Sequence, residues 1–229
     1  MTALNHDPPR RIGLFGGTFN PIHSGHVQVA RDVLQSYCLT AVEFIPSAVP
    51  PHKTEGLLAP AADRYAMACS ALMDEPALKV SDIEIRRSGP SYTIDTLRRY
   101  MAELPHETDI FFMVGLDAFL EIHTWKSYRQ LFELAAFIVM TRPEAAKADQ
   151  DVKTAALQFA RERISDAYAL SGEEDRLVHP QMQVIHLASV TPIGISSSRI
   201  RDMIHKGRPI DQWVAPSVAA YIESKGLYR

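Results

Sequence analysis

Short runs of apolar residues alternate along this chain with longer stretches whose apolar positions recur every three or four residues. The runs Ile12–Phe15, Val42–Ile45, Val80–Ile85, Ile110–Val114, Phe137–Met140 and Val184–Leu187 have the length and apolar content of buried strands. Between many of them, Val27–Tyr37, Ala61–Met73, Thr93–Glu103 and Tyr128–Leu134 carry helical spacing. Strands that alternate with helices make βαβ units, so the predicted fold class is α/β: an open parallel sheet with helices on both faces. Ser196–Lys206 and Pro216–Gly226 predict two further helices, a small C-terminal helical part with Gly226 as its C-cap. The stretch Glu144–His179 differs, being rich in Ala and charge. It predicts one long helix through Leu157–Ala160 and then a polar loop at Ser171–Asp175, as a peripheral insertion or a partner surface.

At 229 residues the chain suits one substantial core, and it shows no repeat or low-complexity tract. The expectation is a single domain over 1–229, with 1–10 flexible, 144–179 an insertion and 196–226 a C-terminal helical segment. A formal net charge of −3 gives no support for nucleic-acid binding. The most apolar stretch, near Leu131–Met140, is too short for a membrane span and contains Glu133. Cys38 and Cys69 are too few for a disulfide framework, and Met1–Arg11 lacks the apolar core of a signal peptide. These readings predict a cytoplasmic protein, with which a homo-oligomer is compatible.

The densest chemical signal is Gly16-Gly17-Thr18-Phe19-Asn20-Pro21-Ile22-His23-Ser24-Gly25-His26, set between the first strand and the first helix. In an open α/β sheet it falls at the carboxyl end of a strand, where ligands bind. Glycines admit an anion close to backbone N–H groups, and a helix N-terminus favours negative charge, so two imidazoles there suit a polyphosphate. Taken alone, His23 and His26 could also be a metal pair or surface histidines, although no further ligands stand out. Neither GxGxxG nor GxxxxGK[ST] occurs, which removes the two commonest α/β nucleotide motifs. A second signal is Gly194-Ile195-Ser196-Ser197-Ser198-Arg199-Ile200-Arg201, in which Ser196 reads as an N-cap and the hydroxyls with Arg201 as a phosphate nest. Gly115 and Asp117 follow a buried strand; Asp117 could accept from a ribose hydroxyl, cap the next helix, or do both. Ser91 or Thr93 can cap the helix after the Gly89-Pro90 turn.

GGTFNPIHSGH resembles the nucleotide-binding signature of the nucleotidyltransferase superfamily, with its (H/T)xGH core. Within it the chain resembles bacterial nicotinate-nucleotide adenylyltransferases through Pro50-Pro51-His52-Lys53, SYTIDTL from Ser91, GLD from Gly115, Trp125, Thr141-Arg142-Pro143 and ISSSRIR from Ile195. The family usually has Asp where Asn20 stands and Thr where Ser198 stands. The resemblance implies a Rossmann-like fold and adenylyl transfer from ATP to nicotinate mononucleotide, giving nicotinate adenine dinucleotide and pyrophosphate. Alternatives are another mononucleotide or phosphopantetheine adenylyltransferase, or a nucleotide-binding regulator without turnover.

On this resemblance ATP meets Gly16, Gly17, Thr18 and Phe19 at the glycine turn, and His23 and His26 at the phosphates. Gly115 and Asp117 are also assigned to it, as are Ile195, Ser196, Ser197, Ser198 and Arg201. Nicotinate mononucleotide is assigned to Lys53, Ser91, Tyr92, Thr93, Trp125 and Arg142, with Trp125 against the nicotinate ring. His23, His26, Lys53 and Arg201 are the catalytic candidates, offsetting phosphate charge. Mg²⁺ is expected on the phosphates, held by substrate and water rather than by a protein metal site.

Overall fold

The computed structural model describes residues 10–50, 58–141, 146–172 and 175–229, without the side chains of 146–151. Its strands are β1 (Arg11–Gly17), β2 (Ala41–Pro46), β3 (Leu78–Val80), β4 (Asp109–Gly115), β5 (Ala136–Thr141), β6 (Ala169–Leu170), β7 (Arg176–Val178) and β8 (Ile185–Ser189). The helices are α1 (Ser24–Ser36), α2 (Ala61–Ala71), α3 (Thr93–Glu103) and α4 (Leu116–Leu120), then α5 (Tyr128–Leu134), α6 (Ala146–Phe159), α7 (Ser197–His205) and α8 (Pro216–Lys225). One sheet runs in the order β3-β2-β1-β4-β5-β8-β7-β6. The six strands from β3 to β8 pair in parallel, while β7 and β6 are antiparallel. The chain leaves β1 toward β2 and β3, then returns to β1's other side as β4. The β1–β4 boundary is therefore the topological switch point, the crevice where open α/β sheets bind ligands.

Alternate residues of the parallel strands feed two cores. Phe15, Val42, Phe44, Met113 and Ile138 face α1, α2, α7 and α8 through Val33, Met67, Ile200 and Val218. Ile12, Leu14, Phe112, Phe137 and Val139 face α3 to α6 through Leu97, Phe119, Phe132 and Ala156. Burial on both faces is what makes these strands read as unbroken apolar runs.

Two expectations need correction. The run Val80–Ile85 is a strand only at its start: Arg86 N–H donates to the Asp82 carbonyl at 2.9 Å, closing a turn that buries the neighbours Ile83 and Glu84 together. A strand would have sent those two side chains to opposite faces. The helix in 144–179 is real, but β6 and β7 follow it, flanking the expected polar loop and extending the sheet beyond β8. Their two and three residues are too short for a periodic signal. The expected open sheet is thus parallel through six strands and carries a short antiparallel edge.

Three buried tyrosines close gaps at the margins of the cores. Tyr100 donates to Glu43 Oε2 at 2.7 Å, Tyr168 to the Gln183 carbonyl at 2.9 Å and Tyr228 to Asn20 Oδ1 at 2.7 Å. Burial pushes all three phenols well above the ordinary tyrosine value of 10.0. The unfolded chain releases these protons first, so their stabilisation is complete below that pH and is lost as pH rises beyond it. Each tyrosine should remove about 1.4 kcal/mol per pH unit in that window. Urea midpoints measured at pH 7, 8.5 and 11 should hold between the first two and fall at the third.

Candidate active site

Two cavities of about 590 and 310 Å³ meet over the switch point, sharing Phe15, Gly16, Gly17 and Gly115 at the ends of β1 and β4. The larger opens toward the start of α3 and Trp125. The smaller opens toward the starts of α1 and α7.

The smaller cavity holds the histidines. Their rings stack with centroids 3.7 Å apart and an interplanar angle of 26°. The Nδ1 atom of His26 accepts the His23 backbone N–H at 3.2 Å, so a neutral His26 ring carries its proton on Nε2. Glycine is required locally twice. A Cβ at Gly25 would meet the His23 ring at 3.0 Å, and one at Gly17 would meet the Phe19 ring at 2.9 Å. Across the cavity Ser196 caps α7, its Oγ accepting the Arg199 N–H at 3.3 Å, as its sequence position predicts.

The neighbouring hydroxyls bind protein partners. Ser197 Oγ donates to the Pro21 carbonyl at 2.9 Å, and Arg201 donates to the Asn20 carbonyl at 2.8 Å and to Ser198 Oγ at 3.2 Å. Of the expected ATP residues, Gly16, Gly17, Phe19, His23, His26, Gly115, Ile195, Ser196 and Ser197 line this cavity, and Thr18 lines the larger one. Ser198, Arg201 and Asp117 line neither. Asp117 is not a cap: Gly115 occupies the N-cap position of α4, and Asp117 lies exposed in its first turn.

In the larger cavity, Ser91, Tyr92, Thr93 and Trp125 come together as expected. Neither Ser91 nor Thr93 caps α3, however. Tyr92 is at the N-cap position, and Ser91 Oγ accepts the N–H groups of Ala48 and Val49 at 2.9 and 3.3 Å, tying the loop after β2 to the site. Trp125 is half-buried and stands edge-on to Phe112 at 6.2 Å, leaving its indole in the cavity wall. Lys53 and Arg142 lie outside the described residues. Sequence reasoning missed Glu84, Thr96 and Lys126, all in the wall of this cavity. Glu84 was hidden inside a predicted strand, whereas Lys126 directly follows the singled-out Trp125.

A family model described as "Cytidylyltransferase-like" matches residues 14–203. A protein of Desulfatibacillum aliphaticivorans named "Probable nicotinate-nucleotide adenylyltransferase" is 40% identical over 220 residues, covering 95% of this chain and 99% of that protein. One of the same name from Geotalea uraniireducens is 40% identical over 218 residues, 95% of this chain and 98% of its own length. The chain belongs to the nicotinate-nucleotide adenylyltransferase family, within the cytidylyltransferase-like group. The same fold is seen in Plasmodium falciparum nicotinic acid mononucleotide adenylyltransferase, solved in complex with NaAD. That protein superposes with a TM-score of 0.70 at 20% identity, over 96% of this chain and 97% of its own.

The family's usual Asp is Asn20 here, and the structure gives this position a structural task. Buried Asn20 accepts with Oδ1 from Ala59 N–H at 3.0 Å and from Tyr228 O–H at 2.7 Å. Beside it Arg64, 0% exposed, donates to the carbonyls of Thr18, Ser47, Ala48 and Ala59. Burial lowers its pKa from the ordinary arginine value, an effect opposed by Tyr228 and Glu84. Truncating Arg64 strands these carbonyls, so Arg64→Ala should cost about 3–5 kcal/mol in urea unfolding, against about 1 kcal/mol for Tyr228→Phe.

Proposed function

We propose that this chain transfers the adenylyl group of ATP to nicotinate mononucleotide, forming nicotinate adenine dinucleotide and releasing pyrophosphate. The observation that carries the reading is the meeting of two unlike cavities at Gly16, Gly17 and Gly115. One has stacked imidazoles and a helix N-terminus suited to phosphates. The other has an indole suited to a flat ring. Relatives at 40% identity carry the name of this activity.

The mononucleotide's 5′-phosphate attacks the α-phosphorus of ATP, in line with departing pyrophosphate. This nucleophile is already anionic at neutral pH, so the protein's contribution is alignment of two anions and neutralisation of their charge. His26, with its proton on Nε2, donates to phosphate oxygens, and His23 stacked on it fixes the ring plane. Arg201 acts from behind the loop it holds, with Lys53 and Arg142 assigned to the mononucleotide's phosphate side. Among the described residues no three His, Cys, Asp or Glu side chains gather as a metal cage, and no helix is long and apolar enough to cross a membrane. We assign Mg²⁺ to the phosphates of ATP, whose hard oxygens suit it, where it supplies further charge neutralisation. A cytoplasmic location accords with the free cysteines Cys38 and Cys69.

The test is dinucleotide formation and pyrophosphate release by purified protein with ATP and Mg²⁺, nicotinate mononucleotide being compared with nicotinamide mononucleotide and phosphopantetheine. Preference for the nicotinate substrate is the expected result. Turnover of phosphopantetheine alone would transfer the chemistry to another acceptor, and ATP binding without turnover would make the chain a regulator. His26→Ala should lower kcat by about 100-fold or more, well beyond what the loss of about 1 kcal/mol of stability from its bond to the His23 N–H would explain. Trp125→Ala should raise the KM for the mononucleotide about tenfold while leaving that for ATP in place.

A further inference from the structure

The first turn of α3 carries two opposite charges into one cavity. Asp95 receives Lys126 Nζ at 3.0 and 3.3 Å, and the same ammonium lies 4.7 Å from the centroid of the Tyr92 ring. One residue further on, Thr96 Oγ1 lies 2.7 Å from Glu84 Oε1. Glu84 is 8% exposed, and its second oxygen, Oε2, is buried without a hydrogen-bond partner. Glu84, Thr96, Tyr92, Trp125 and Lys126 all line the larger cavity. Lys126 and Glu84 are therefore held by adjacent residues of a single helical turn, and both face the space flanked by Trp125.

A ring that is a pyridinium at nitrogen and a carboxylate at carbon carries the complementary pair of charges. Its amide counterpart keeps the cation and lacks the anion. We infer that Lys126 is the specificity-determining residue of the ring subsite, reading the carboxylate, and that Glu84 binds the cationic nitrogen common to the acid and the amide. This rests on nicotinate mononucleotide being the acceptor. Arg87, 3.6 Å from Asp95, adds a second cation to that carboxylate, so the group Arg87–Asp95–Lys126 keeps a net positive charge at the cavity wall. Lys126 is partly exposed, which places its effect between that of a surface pair and that of a desolvated one.

The test measures kcat/KM with both mononucleotides for the wild type, Lys126→Met, Lys126→Arg and Glu84→Gln. Lys126→Met should lower the value for the acid about tenfold and leave the amide unchanged, collapsing the preference by the same factor. Lys126→Arg should retain it. Glu84→Gln should lower both substrates by a similar factor, since both carry the pyridinium charge. Glu84 also opposes the buried charge of Arg64, so the melting temperature of Glu84→Gln is measured alongside, and the Lys126 pair carries the test if that variant fails to fold. An unchanged acid-to-amide ratio in Lys126→Met, with the wild type active, would overturn this inference and leave the proposed reaction standing. A wild type that turns over neither mononucleotide would overturn both.

Discussion

The site depends on two guanidinium groups, carried by two different helices, that hold the loop after β1. Arg64, carried by α2, takes the Thr18 carbonyl together with those of Ser47, Ala48 and Ala59. Arg201, carried by α7, takes the Asn20 carbonyl. A loop between strand and helix has no ladder to satisfy its carbonyls, and buried carbonyls need donors. Arginine's planar fork satisfies several at once, which a lysine cannot do in the same geometry. The turn after β1 is shaped from the rest of the molecule as much as from its own glycines.

This arrangement makes the C-terminal helices part of the frame that holds the β1 loop, without placing most of their polar groups in the cavity. Tyr221 on α8 donates to Asp63 on α2 at 2.8 Å, Ser197 and Arg201 reach the β1 loop, and Tyr228 reaches Asn20. Cavity lining and loop anchoring are thus carried by adjacent residues of one short helix. Ser196 and Ser197 face the cavity, while Ser198 and Arg201 work behind it.

Across the glycine edge, the ring cavity is organised by α3 in a different way. Ser91 secures the loop after β2, Thr96 holds Glu84, and Asp95 holds Lys126. The glycines at the ends of β1 and β4 allow the two halves to share a boundary with no side chain intervening at Gly16, Gly17 or Gly115.

By itself the sequence determined the α/β class, the order of the main elements and the residues clustered at the strand ends. Buried parallel strands are apolar throughout, and the site motifs are contiguous. It determined that His23, His26, Ser196 and Trp125 sit in the walls of one composite site, because each lies a few residues from a legible strand end or helix start. Tertiary structure alone decided which hydroxyls and cations face a cavity and which hold the loop, since Ser196 at the cap of α7 lines the cavity while Ser198 and Arg201, within the same motif, do not. It alone recruited Glu84, through a turn that local apolar alternation disguised as a strand, and Arg64, a buried cation whose partners are backbone carbonyls distant in sequence. Backbone acceptors carry no residue identity, so no motif could have announced the bonds that hold the site together.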